Sequence, residues 1–313
     1  MAGNKEKNFA SAVIYVHNAE NRIEKFLENI IQVMEKNFEH SEIICVNDAS
    51  EDESVSVIKR VSQRAVETSV SVVNMSYFHG LELAMNAGVD MSIGDFVFEF
   101  DNTKADFDPE MVMEIYRHSL KGYDIVSASA ERKEKFTSRL FYKVFDKFTD
   151  VSYRMETESF RVLSRRVINR ISSMNKTVPY RKAVYANCGL KTDNIKYKVT
   201  ENAGTDTDKK EKRYRSGLAL DTLILFTEVG YRFSMAMTIA MMVMSIFMIV
   251  YSVFTYFIVH PVQGWTTTIL FLSIAFFGLF GILTIIVKYL QLLVDLVFKR
   301  KHYSFESIEK LTK

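Results

Sequence analysis

From Met235 to Val259 no residue carries a charge, and a second uncharged run extends from Pro261 to Val287. At about 1.5 Å per helical residue, either run reaches across a hydrocarbon core about 30 Å thick. The pattern predicts two transmembrane helices within 233–298. The link "HPVQGW" is too short to be a domain and places Trp265 as an interfacial anchor. Basic sequence lies on both outer flanks, "KKEKRYR" upstream and "FKRKHY" downstream, so the positive-inside rule makes both flanks cytoplasmic. The expected organisation is a cytoplasmic domain over 1–215, a juxtamembrane amphipathic helix over 216–232, the two spans, and a cytoplasmic tail over 299–313. This describes a multi-pass protein of the inner membrane.

Ahead of the apolar runs, short β-rich stretches alternate with helical periodicity. "SAVIYV" is followed by "RIEKFLENIIQVMEKN", which places Ile23, Phe26, Leu27, Ile30, Ile31 and Met34 on one helical face. "SEIICVN", "TSVSVVNM" and "DFVFEFD" repeat the strand signal, with helical segments between them. Such alternation argues for an α/β fold, a mostly parallel sheet with helices on both faces, whose ligands bind beyond the carboxyl ends of the strands. Forty basic residues stand against 38 acidic ones, so bulk charge draws in no nucleic acid. Cys45 and Cys188 match neither a disulfide framework nor a zinc spacing and read as reduced, buried thiols. The amino terminus lacks the apolar core and cleavage site of a secretory signal.

The motif order is strand, "HNAE", strand, "VNDAS", strand, "HGLELAMNAG", strand, "DNT", "DPE", then "SFRVLSRRV" and two apolar runs joined by "VQGW". It resembles the family-2 glycosyltransferases of GT-A fold, and more narrowly the membrane-anchored polyprenyl-phosphate enzymes related to dolichyl-phosphate mannose synthase. The likeness covers nearly the whole chain. It implies an inverting transfer of one sugar from a nucleotide-sugar donor to a polyprenyl (undecaprenyl or dolichyl) phosphate at the cytoplasmic membrane face. It also implies a homo-oligomer assembled through the membrane helices.

Carried over position by position, the resemblance assigns a nucleotide-sugar site to Tyr15, His17, Asn18, Glu20, Asn47, Asp48, Gly80 and Asp101. The family pattern V-D-D-G-S falls on Val46, Asn47, Asp48, Ala49 and Ser50, and Asn47 keeps an acceptor for a uracil N–H through its amide oxygen. The alternative for Asp48 or Ser50 is a role only as N-cap of the next helix. The D-x-D pattern falls on Asp101, Asn102 and Thr103, so one carboxylate of the pair is missing. Asp101 is the expected catalytic residue, which ligates or orients Mg²⁺ or Mn²⁺, with the Thr103 hydroxyl, the Asn102 amide or Asp106 giving further oxygens, because the leaving diphosphate accumulates charge. A lipid phosphate is already anionic and needs positive charge more than a base. Arg132, Arg139, Arg161 and Arg165 are its expected clamps, with a solvated basic face as the alternative.

Substitutions at Tyr15, Ala19, Asn47, Tyr77, Phe78 and Thr103 concentrate on the donor site. They leave open a second class, a degenerate relative that binds nucleotide or lipid as a membrane scaffold without turnover. A processive polysaccharide synthase is disfavoured, since such enzymes carry Q-x-x-R-W and the single tryptophan here lies in the link.

Overall fold

A computed structural model describes residues 5–131, 158–173, 180–200 and 305–312, with Gly217 and isolated positions between 236 and 293. The chain divides into two compact units, Met1–Ala219 with Arg300–Lys313, and Leu220–Lys299. The expected juxtamembrane helix and the two expected spans fall outside the described residues, apart from isolated helical positions. Among the described residues no helix is long and apolar enough to cross a membrane.

The first unit is built on one eight-stranded sheet. In chain order its elements are β1 (Ala10–Val16), α1 (Glu20–Asn37), β2 (Ser41–Asn47), α2 (Ser54–Ser62), β3 (Ser69–Met75), α3 (Leu81–Met91), β4 (Phe96–Phe100), α4 (Glu110–Ser119), β5 (Ile125–Ala130), β6 (Phe160–Ser164), α5 (Arg165–Ser173), α6 (Arg181–Asn187), β7 (Thr192–Tyr197) and β8 (Phe305–Lys310). The spatial order is β7-β5-β6-β4-β1-β2-β3-β8. Strands β1 to β4 are mutually parallel, whereas β6 enters antiparallel to both β4 and β5.

This order fixes where a ligand belongs. From β1 the chain steps outward through β2 and β3, then returns to lay β4 on the other side of β1. The connections leaving β1 and β4 therefore diverge, and a crevice opens at the carboxyl ends of these two strands. The 17–20 loop and Asp101 lie there.

Helical periodicity and strand alternation explain the layering. All six apolar residues expected on one face of α1 are buried, together with Val33. They join Phe98 and Phe100 of β4 and helices α2 and α4 in one core cluster. On the other side of the sheet, Val97 packs with residues of α3, α5 and α6. Cys45 and Cys188 are buried free thiols, one in each cluster, and burial pushes the Cys45 pKa up to about 12.

The sequence reading missed β8. Residues of the expected tail pair antiparallel with β3, matching Asn74 with Ser307 and Val72 with Glu309. The stretch "FESIEK" alternates weakly, and its partner strand lies more than two hundred positions earlier.

Candidate functional site

Alternation along β4 sets the site. Phe98 and Phe100 turn to one face, so Glu99 and Asp101 share the other. Arg161 of β6 stands directly opposite Glu99 in the antiparallel register. Its Nη1 donates to Glu99 Oε2 at 2.8 Å, its Nη2 to Asp101 Oδ2 at 2.9 Å, and its Nε to Glu158 Oε2 at 3.0 Å. A second guanidinium closes the group: Arg181 Nη2 donates to Asp101 Oδ1 at 2.6 Å and Nε to Glu82 Oε2 at 3.0 Å. The Arg181 backbone N–H also reaches Glu82 Oε2, at 2.9 Å. Tyr185 O–H donates to Glu99 Oε1 at 2.8 Å.

Glu99 and Arg161 are fully buried and Arg181 is 1% exposed. Charges so placed persist only when paired. Burial works to raise the Asp101 pKa, but Arg161 first, then Arg181 and Lys182, outweigh it and hold the carboxyl well below the usual carboxylate range. Burial likewise opposes the charge on Arg161, and Asp101, Glu158 and Glu99 raise its pKa in spite of it.

The tips of β1 and β2 are laced to each other. Asp48 is fully buried, and its carboxylate accepts from Tyr15 O–H at 3.1 Å and from the backbone N–H groups of His79 at 2.7 Å and Gly80 at 2.8 Å. Burial raises the Asp48 pKa, countered in part by those donors. His17 Nδ1 lies 2.7 Å from Asp48 O, Asn18 Oδ1 accepts from Glu51 N–H at 2.9 Å, and Glu20 Oε2 accepts from Glu53 N–H at 3.1 Å. Asn47 Oδ1 accepts from Ser50 N–H at 3.1 Å, while its Nδ2 starts an amide ladder through Asn74 to Ser307 of β8. Asp48 is thus an internal clamp that sets the entry to α3. The residue after it, Ala49, holds φ +50°, a left-handed conformation where the family pattern has glycine. Ala49→Gly is expected to raise the unfolding free energy by about 0.5–1 kcal/mol, read from denaturant midpoints.

The expected residues therefore separate into groups. Tyr15, His17, Asn18, Glu20, Asn47, Asp48 and Gly80 form one interlinked set of loops, and Asp101 sits among guanidiniums. Asp106 lies within reach of Tyr197, whose O–H is 3.2 Å from Asp106 Oδ1, and Thr103 is 4% exposed. Of the expected phosphate clamps, Arg132 and Arg139 lie outside the described residues. Arg161 is buried on three carboxylates. Arg165 needs correcting: its Nε donates to Gly94 O at 2.8 Å and its Nη2 to Ser92 O at 3.0 Å, at the amino end of β4 and so at the opposite end of that strand from Asp101.

Asp101 does not fit a divalent cation in this arrangement. Both its oxygens receive charged donors, and the place of the second aspartate is taken by neutral Thr103. Among the described residues no three His, Cys, Asp or Glu side chains come together to hold a metal. Sequence reasoning missed Glu82, Glu99, Glu158, Arg181 and Tyr185. A charge inside "FVFEF" was the available signal, since a glutamate in a strand buried on both faces requires a cation opposite it.

The parallel β1–β4 core, the crevice at its switch point and the antiparallel β6 define a GT-A-like α/β fold. The glycosyl transferase family 2 profile matches residues 11–172, and the chain belongs to that family. It is 30% identical over 187 residues to the uncharacterized glycosyltransferase sll0501 of Synechocystis, covering 58% of each chain. With a prophage bactoprenol glucosyl transferase homolog of Escherichia coli it shares 27% over 207 residues, 63% of this chain and 65% of that one. In both comparisons the match spans less than two thirds of the relative's length. Among solved structures, glucosyl-3-phosphoglycerate synthase from Mycobacterium tuberculosis, in complex with Mn²⁺, UDP and glucosyl-3-phosphoglycerate, superposes with a TM-score of 0.52. The two share 16% identity over 71% of this chain and 81% of that chain, a likeness of fold.

Proposed function

We propose that the chain is an inverting glycosyltransferase that moves one sugar from a nucleotide-sugar donor to a polyprenyl phosphate, in the manner of enzymes related to dolichyl-phosphate mannose synthase. The single observation that carries the reading is Asp101, an acid held at the carboxyl end of β4 beside the switch-point crevice, in a chain of family 2. Relatives named as bactoprenol glucosyl transferases support the lipid acceptor. The two uncharged runs fit an anchor at the membrane where such an acceptor resides, the domain facing the cytoplasm and the helices joining a homo-oligomer. Whatever its source, positive charge must face the departing diphosphate, and a divalent cation or a guanidinium can supply it.

The test incubates the full chain in detergent with a panel of labelled nucleotide sugars and a short polyprenyl phosphate. One labelled lipid product is expected, and Asp101→Asn is expected to slow its formation by about 10²-fold or more. The second reading, a non-catalytic binder, is favoured by the engagement of both Asp48 and Asp101 with the protein's own donors. Nucleotide binding without any product from the panel would select it.

A further inference from the structure

We propose that Arg181 occupies the seat of the divalent cation at Asp101, so that this protein takes no metal there while Arg181 is in place and meets the donor's diphosphate with a guanidinium instead. The inference rests on the transferase reading for its role, and on geometry for the seat itself.

Asp101 Oδ1 receives Arg181 Nη2 at 2.6 Å and Oδ2 receives Arg161 Nη2 at 2.9 Å. A Mg²⁺ ion on either oxygen, at about 2.0–2.1 Å, would sit against a guanidinium with no anion between them. Charge alone does not exclude a cation, because among the described residues four carboxylates, Glu82, Glu99, Asp101 and Glu158, face two guanidiniums, Arg161 and Arg181, with Lys182 nearby. Position does exclude it. Arg181 is fixed by its backbone N–H and Nε on Glu82, which aims the outer edge of its planar head at Asp101.

One edge of that head is held by charge more than by hydrogen-bond geometry. Arg181 Nη1 lies 2.8 Å from Glu99 Oε1, close enough for an ion pair, yet it is not aligned for a hydrogen bond to any acceptor. Glu99 therefore meets the charge on that buried edge without a well-aligned hydrogen bond. The planar fork that suits carboxylate also suits phosphate oxygens. Thr103 in place of an aspartate fits the same account, since a site with no metal to neutralise has no use for a second carboxylate.

The experiment titrates Mn²⁺ into the full chain in detergent and follows free Mn²⁺ by its electron paramagnetic resonance signal, with and without UDP. The unsubstituted protein is expected to leave Mn²⁺ free, and its affinity for UDP to change less than about two-fold on adding EDTA. Arg181→Gln is expected to bind Mn²⁺ at least about ten-fold more tightly than the unsubstituted chain, and Asp101→Asn added to it to abolish the gain. Arg181→Lys, which keeps the charge without the fork, serves if the glutamine variant does not fold, and is expected to leave Mn²⁺ free as the unsubstituted chain does. One tightly bound Mn²⁺ in the unsubstituted chain, lost on Asp101→Asn, would overturn the proposal. Absence of a labelled lipid product in the transfer assay would instead remove the transferase reading and leave the Mn²⁺ result standing.

Discussion

Replacing Arg161 with alanine is expected to lower the unfolding free energy of the full chain by about 3–5 kcal/mol, because it removes one of the two guanidiniums that offset a group of buried carboxylates. Glu99, fully buried, would keep only Tyr185 and the misaligned Arg181 contact, and Glu158 would lose its guanidinium hydrogen bond. Against a total stability of about 5–15 kcal/mol, such a loss takes a large share of the native population. Denaturant midpoints in detergent measure it. Arg161→Lys is expected to recover part of the loss, since an ammonium restores charge but not a fork serving three acids. The pH dependence has a definite sign. Asp101 has a depressed pKa in the folded protein, so its contribution is present above its unfolded value, about 4, and is lost as pH falls through the folded value. The gap between the unsubstituted protein and Arg161→Ala should therefore narrow below about pH 4.

Asp48→Ala is the second large effect. Three donors, the Tyr15 hydroxyl and the His79 and Gly80 amides, lose their carboxylate acceptor in a fully buried place. At about 1–3 kcal/mol for each group left unsatisfied, a loss on the order of 3 kcal/mol or more is expected. Hydrogen exchange should localise the damage, with protection falling at the start of α3 and in the 17–20 loop while α4 is spared. Asp48→Asn should cost less, because one carboxamide oxygen still accepts from Tyr15 and Gly80, although its NH2 then faces the His79 amide. If Asp48 acted mainly on nucleotide, Asp48→Ala would weaken nucleotide binding with little change in the unfolding midpoint.

Strand alternation and helix periodicity are local, so the elements from β1 to β4 could be read from short windows, and the six buried positions of α1 follow from spacing alone. The parallel core and its switch point follow from the order of those elements. The charged network could be half read. Glu99 and Asp101 stand two residues apart in an apolar strand, which places them on one face. Arg161 is legible as a strand residue, yet its chemistry alone suggests a phosphate clamp, because nothing in "SFRVLS" announces that its partners stand across a strand pair. Arg181 was not legible at all. Its helix is short, and its partners Glu82, Glu99 and Asp101 lie about a hundred positions or fewer upstream without any fixed spacing to it. The role of β8 was hidden in the same way, since edge pairing with β3 depends on where the chain returns and not on its own weak pattern.

The donor is expected to bind at the carboxyl ends of β1 and β4, with its diphosphate against the Asp101–Arg181 pair. The most direct test is an electron cryomicroscopy map of the full chain with UDP, and with GDP in a second sample. Nucleotide density between the 17–20 loop and Asp101, with a phosphate oxygen within hydrogen-bond reach of Arg181, is the expected result. Nucleotide bound elsewhere on the domain, or neither nucleotide bound at saturating concentration, would contradict it.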